Sequence, residues 1–154
     1  MSPHPLKKSN YLNIDTKSYE QHRLAVLEHF LDRIKDQIIL VTEEGQLMYI
    51  NQVACRVLGY SRDELLSMSI SDIDAHYQLE HWREHWEFLK LNHAQTFETA
   101  HISKEGKQIP VEVHASYFLY EGSAYNLSIV QDITERKRTE KLLRKKIKNW
   151  TKTT

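Results

Sequence analysis

Residues 124–137, Ala-Tyr-Asn-Leu-Ser-Ile-Val-Gln-Asp-Ile-Thr-Glu-Arg-Lys, change character halfway along. The first half is rich in apolar and β-branched residues, holds no Gly or Pro, and reads as a strand. From Thr134 onward the residues are helix formers, almost all of them charged. Thr134 is suited to cap the helix start, and Glu135 puts a negative charge in the first turn, where the helix dipole favours it. A sheet strand therefore feeds directly into a charged helix. Such a join is a place where strain in a domain core reaches whatever follows.

The rest of the chain supplies the other elements of that core. Residues 1–16 hold two of the three prolines and read as a loose tail. A helix is predicted over residues 17–35, with Leu24, Leu27, Leu31 and Ile34 at spacings of three, four and three. That stripe suits a coiled-coil seam or a face docked on the domain, and the run is too short to separate the two. Two strands, 38–41 and 46–50, flank the turn Glu43-Glu44-Gly45. Asn51 and Gly59 bracket a short helix, the first as cap and the second as the stop that tolerates a left-handed backbone. Ser61-Arg-Asp-Glu64 is a capping box for the next helix, and residues 69–74 make a further turn.

Residues 77–92 carry the longest helical pattern inside the domain, with Trp82, Trp86 and Leu89 on one face and His81, His85 and Phe88 on the neighbouring stripe. Strands then follow over 95–103 and 108–120, joined by a turn at 104–107, and Glu121-Gly122-Ser123 turns the chain into the strand described first. Pro110 sits near the start of its strand, where a missing donor is tolerated. Hairpins between strands imply antiparallel pairing. The class is α+β, a sheet covered on one face by helices, with no internal repeat.

Charge is balanced in total and uneven in place. Residues 135–154 hold nine Lys/Arg against two Asp/Glu, a net of +7, while residues 1–134 carry a net of −7. A basic helix of this kind suits nucleic acid or anionic lipid, but a solvated helix face is the reading taken, and no nucleic acid is expected as a partner. Leu143, Ile147 and Trp150 form a second apolar seam on it, at spacings of four and three. The single cysteine, Cys55, excludes an internal disulfide and fits a reducing compartment. No run approaches the length of a membrane span, and Lys7 and Lys8 are followed by no apolar region, so a cytoplasmic protein is expected.

No residues assemble into an enzyme's constellation. Only four glycines occur, none in a phosphate-cradling loop, and nothing orders Ser, His and Asp into a triad. His81 and His85 are four apart on a helix, yet His-Trp-Arg-Glu-His is not the order of zinc hydrolases and no third ligand is fixed, so no metal site is expected. Glu98 and Glu112 fall on adjacent strands, with Lys104 or Lys107 as expected partners. Asn126-Leu-Ser128 matches a glycosylation sequon without meaning in a cytosolic strand.

Five stretches in this order resemble a PAS domain: Glu-Gly-Gln-Leu-Met-Tyr-Ile-Asn (44–51), Leu-Gly-Tyr-Ser-Arg-Asp-Glu-Leu (58–65), Phe-Glu-Thr-Ala-His-Ile-Ser-Lys-Glu-Gly (97–106), Ile-Pro-Val-Glu-Val (109–113) and Asp-Ile-Thr-Glu-Arg-Lys (132–137). Each is weak alone; five in sequence with ordinary spacing are specific. The resemblance implies a five-stranded antiparallel sheet in the order 2-1-5-4-3, a PAS domain over residues 36–134 and a signalling helix over 135–154. It implies a cleft between sheet and short helices, lined from the strands by Ile39, Val41, Phe97, Thr99, Val111, Val113 and Ala115, and from the helices by Cys55, Leu58, Trp86 and Leu89. Thr99, His101 and Ser128 are its polar groups.

The resemblance further implies a relay through Asp132, Ile133 and Thr134, a homodimer seam formed by the two flanking helices, and an output kinase, cyclic-dinucleotide cyclase or further sensory domain as in two-component systems. The exposed seam ending at Trp150 suggests a piece of a longer protein. Haem-binding members hold iron through a His of the long helix, near His81 or His85, but no Arg stands at Phe97, where one such subgroup keeps a polar distal contact. Flavin light sensors need an Asn-Cys-Arg motif, and residues 69–75 lack a Cys. No cofactor is favoured. Three readings remain open: a ligand sensor, a ligand-free dimerisation or protein-interaction domain, and a haem or flavin redox sensor.

Overall fold

The computed structural model describes residues 15–153. The elements run α1 (Thr16–Leu31), β1 (Gln37–Thr42), β2 (Leu47–Ile50), α2 (Gln52–Leu58), α3 (Arg62–Leu66), α4 (Ile70–Ile73), α5 (Leu79–Asn92), β3 (Ala94–Ile102), β4 (Gln108–Tyr120), β5 (Ser123–Asp132) and α6 (Thr134–Thr153). Five strands form one sheet in the order β2-β1-β5-β4-β3, and every pairing is antiparallel. This is the α+β sheet and strand order implied by the resemblance. Most of the expected tail, residues 1–14, lies outside the described residues.

Local chemistry explains where the elements stop. Asn51 caps α2 by accepting from Ala54 N–H, and Gly59 ends it with φ 79°. Ser61 caps α3 through Glu64 N–H. Gly45 is required twice over. Its φ is 87°, and a Cβ there would come within 3.3 Å of the Ile70 side chain. The close approach lets the Gly45 carbonyl accept from Ile70 N–H at 2.7 Å, while Trp82 Nε1–H donates to the Glu43 carbonyl at 2.8 Å. The β1–β2 turn is thereby sewn to the helical layer.

The core lies between the sheet and α2–α5. Ile39, Val41, Val111, Val113, Ala115 and Val130 face it from the strands, and Leu58, Trp86 and Leu89 from the helices. The buried face of α5 is Trp82, His85, Trp86 and Leu89. His85 thus belongs with the tryptophans, whereas His81 and Phe88, its expected companions, are exposed. At 82, 85, 86 and 89 the spacing is three, one and three, which wraps one helical face.

The flanking helices bury no residue. Helix α1 ends at Leu31, short of the expected 35, because the chain bends where Asn51 Nδ2–H donates to the Leu31 and Asp36 carbonyls. Of the expected seam, Leu24 and Leu27 are exposed on α1, Leu31 is half-buried at its end, and Ile34 lies beyond the helix. Leu143, Ile147 and Trp150 are exposed on α6. Among the described residues, no helix is long and apolar enough to cross a membrane.

Candidate functional site

The space between sheet and helices is almost filled. A small cavity of about 20 Å³ remains, bounded among others by Ile39, Phe97, Val113 and Ser128. These four are on the expected cleft lining. Val41, Cys55, Leu58, Trp86, Leu89, Val111 and Ala115 are buried in the surrounding core, and Thr99 is buried but turns its hydroxyl to Asp74. The volume admits about one water. A groove of about 400 Å³ lies open outside it, between α5 and the edge strand β3, lined by His81, Glu84, His85, Phe88, Gln95 and Glu98 among others.

Polar residues concentrate at one end of the cleft, and several were not among the expected lining. Asp74 follows α4, where four residues carry too little period to tell inside from outside. Its carboxylate is buried and accepts from His76 N–H at 2.8 Å, Tyr77 N–H at 3.3 Å and the Thr99 hydroxyl at 2.8 Å, with His101 Nε2 at 3.5 Å. Asp74 also pairs with His101 as a single antiparallel bridge, so the segment between α4 and α5 is fastened to β3. Burial works to raise the Asp74 pKa; the hydrogen bonds from His101, His76 and Thr99 outweigh it and hold the carboxyl below its ordinary value. Burial, with the Asp74 charge adding to it, pushes the Tyr77 phenol up to about 12.

A second polar chain crosses the core. The Ser128 hydroxyl donates to Asn126 Oδ1 at 2.9 Å. Asn126 Nδ2 lies 3.3 Å from His85 Nε2, and His85 Nδ1 lies 3.2 Å from Gln95 Oε1. With Asn126 donating, His85 is the neutral Nδ1–H tautomer and donates to Gln95 Oε1. Burial depresses the His85 pKa, against the opposing pull of Gln95 and the Asp74 charge. The ring sits edge-on to Tyr77 and Phe97, each 5.0 Å away between centroids. The signal in the sequence was alternation: Asn126 and Ser128 share the face of Val130, which is the core face.

The expected cofactor ligands fall differently. His81 is exposed with Nδ1 on the His76 carbonyl at 2.9 Å, and His85 has both ring nitrogens engaged. Among the described residues no group of three or more His, Cys, Asp or Glu is placed to hold a metal ion. Cys55 is buried and its thiol pKa is raised by that burial, the opposite of a reactive thiolate.

The junction after β5 is compact. Asp132 still pairs with Val111 in the sheet, Ile133 N–H donates to the Pro110 carbonyl at 3.0 Å, and the Ile133 side chain is buried. Thr134 is already the first residue of α6. It is not the cap that its position suggested. Its N–H and its hydroxyl both donate to Asp132 Oδ1, so Asp132 supplies the capping oxygen. Arg136 reaches Glu98 and Glu112 at 3.0 and 3.1 Å, and Lys137 reaches Glu98 at 2.7 Å. The two glutamates therefore take their cations from α6. Lys104, one of the expected partners, pairs with Glu64 instead.

Known proteins share this architecture. A methyl sulfide methyltransferase-associated sensor from Methanosarcina acetivorans is 36% identical over 113 residues, 71% of this chain but 11% of that protein's length. The PAS domain of an HTR-like protein from Haloarcula marismortui superposes with a TM-score of 0.70 at 26% identity, covering 76% of this chain and 97% of that one. A PAS domain from a two-component sensor histidine kinase gives 0.64 at 22% identity, over 73% and 98% of the two chains. The family model described as the PAS domain matches residues 35–135, the stretch from just before β1 to the first turn of α6. With that match and the strand order in agreement, the chain belongs to the PAS-domain family.

Proposed function

We propose that the chain is a sensory signalling module that converts a change in its cleft, or in its dimer packing, into movement of α6. The observation that carries this reading is the absence of slack at the junction. β5 holds its ladder to Asp132, Ile133 is buried, and α6 begins one residue later. A shift of β5 cannot be absorbed by a loop, so it must tilt or rotate the helix. The transition has two states, and the input favours one of them. The name of the Methanosarcina relative, a sensor, supports the same reading. The flanking seams on α1 and α6 then face a second copy, and α6 leads to an output kinase, cyclase or further sensory domain.

The relay is tested by Asp132→Ala. The substitution removes both hydrogen bonds to Thr134 and is expected to cost α6 about 1 kcal/mol of local stability. Hydrogen exchange should quicken in the first turn of α6 while the sheet amides stay protected. In a chain carrying an output kinase, the activity should then stop following the input. Output that still follows the input after Asp132→Ala rules out this relay.

The small cavity favours a second version in which packing between copies, not a small molecule, is the input. Native mass spectrometry separates the two. A bound mass that leaves on denaturation supports the ligand, and a dimer of bare chains supports packing.

A further inference from the structure

Glu98 and Glu112 stand directly opposite each other on β3 and β4. Like charges at cross-strand positions repel, and a cation placed between them relieves that repulsion. That cation comes from neither strand. It is Arg136, in the first turn of α6, whose Nη2 lies 3.0 Å from Glu98 Oε1 and 3.1 Å from Glu112 Oε2. Lys137 adds a contact to the second Glu98 oxygen at 2.7 Å, and His114 Nε2 lies 3.2 Å from the second Glu112 oxygen.

The neighbours of Glu98 along β3 make this more than a surface cluster. Phe97 borders the cavity, and Thr99 donates to the buried Asp74. Both point into the core, so Glu98 between them points to the opposite face, where α6 starts. β3 is also the outer strand of the sheet and borders the open groove. β3 pairs with a single strand, and its other edge is tied only around Ala100 and His101, to the segment after α4, so its Phe97–Glu98 part is less restrained than the central β5.

We propose that Arg136 is a positioning residue for α6, and that Glu98 gives the cleft a second route to the helix, through β3, independent of β5 and Asp132. The inference rests on the sensory reading above and adds the edge strand to it. A displacement at Phe97 or Thr99 moves Glu98 with its strand. Glu98 carries Arg136 and Lys137 with it, and the first turn of α6 follows. Glu112 keeps Arg136 attached to β4 during the motion, so the helix pivots without detaching.

The test is a double-mutant cycle on the whole chain, read by hydrogen exchange at the Lys137 amide, which donates to the Ile133 carbonyl, and at those just after it in α6, with sheet amides as the folding control. Arg136→Gln and Glu98→Gln should each quicken exchange about two- to fivefold, the range of exposed ion pairs. Together they should do clearly less than the sum of the two, because the Arg136–Glu98 pair is lost once, although Arg136 keeps Glu112 in one single variant and Lys137 keeps Glu98 in the other. Arg136→Lys should recover a large part of the loss. Thr99→Val, which removes the inward hydrogen bond of β3, should alter α6 exchange in the parent chain and leave it unchanged in Glu98→Gln. Additive effects of Glu98 and Arg136, or equal losses for Arg136→Lys and Arg136→Gln, overturn the route, as does a Thr99→Val effect that persists in Glu98→Gln. The two readings fail separately. If Asp132→Ala frees α6 while the cycle is additive, only the β3 route falls. If the cycle is coupled but output ignores cleft substitutions, the sensory reading falls and the ionic contact stands.

Discussion

The two ends of the domain are fastened in opposite ways. At the entrance, Asn51 is fully buried and its side chain makes four hydrogen bonds: it accepts from Ile38 and Ala54 N–H and donates to the Leu31 and Asp36 carbonyls. Asp32 adds Gln52 N–H at 2.7 Å and Arg62 at 2.9 Å, and Arg62 also donates to the Ile50 carbonyl. At the exit, one apolar side chain, Ile133, is buried, and the side-chain contacts that hold α6 are on the surface: the Asp132 cap and the Arg136 and Lys137 ion pairs. Buried hydrogen bonds are costly to open because they leave unsatisfied groups behind. Exposed ion pairs open cheaply and re-form. The entrance is therefore built as an anchor and the exit as a joint. That asymmetry is what a module reporting through α6 requires.

The largest effect should come from the anchor. Asn51→Ala removes a helix cap and orphans the buried groups it served, at a cost of about 3–5 kcal/mol. Chemical denaturation should show the loss in the whole domain, not in α1 alone. A midpoint close to the parent's would mean that water replaces Asn51 and that the entrance is no anchor. Ile133→Ala comes next, at about 2–4 kcal/mol for a buried Ile. Unlike Asn51→Ala, it should also release α6, visible as faster exchange along the helix before the sheet opens. If α6 stays as protected as in the parent, the joint is held by its charges and not by its plug.

Much of the anchor and part of the joint were legible in the chain itself. Asn51, Gly59 and Ser61 name their helix ends because a cap needs an acceptor or a left-handed backbone at one position only. The abrupt change at Asp132 marked the exit, although Asp132 and not Thr134 proved to be the capping group. What escaped were contacts set by three-dimensional placement. Arg136 meets Glu98 and Glu112 only because α6 leaves the sheet across β3 and β4, a direction that no local pattern encodes. Asp74 escaped because its helix is one turn long. Pattern sets His85 on the stripe beside the tryptophans, since two tryptophans at i and i+4 already fill the apolar side, and only the fold shows that its ring is buried with them. Asn126 lay on the inward face by alternation, but a polar residue there reads as outward until its partners are known.

Acid should act on the core between the two ends. His85 is neutral in the fold and its pKa is depressed by burial, so the unfolded chain takes up the proton first. Above about pH 6.5, the ordinary imidazole value, the group is neutral in both states and costs nothing. As pH falls below that value, stability drops until the folded ring is protonated too. Asp74 adds a separate loss at lower pH: its carboxyl is held below the ordinary value, so its contribution is complete above about pH 4 and disappears as pH falls through the folded pKa. Comparing denaturation of the parent and His85→Gln between about pH 7.5 and 5.5 isolates the first effect. The parent should weaken more steeply. Parallel curves would show that His85 does not titrate differently on folding.

Salt should separate anchor from joint with the smallest change. The screening length falls from about 10 Å at 0.1 M to about 3 Å at 1 M, which weakens exposed pairs and barely touches buried hydrogen bonds. Glu98 and Glu112 lie side by side on the sheet, so screening also relieves their mutual repulsion. Loss of the Arg136 attraction and relief of the repulsion partly cancel in the stability of the whole domain. They do not cancel at α6, which feels only the lost attraction. Raising salt should therefore quicken exchange in the first turn of α6 while the denaturation midpoint and the amides bonded to Asn51, Ile38 and Ala54, hold steady. Equal quickening at both ends would mean that the entrance also depends on charge, through Asp32 and Arg62, and that the contrast between anchor and joint is one of degree.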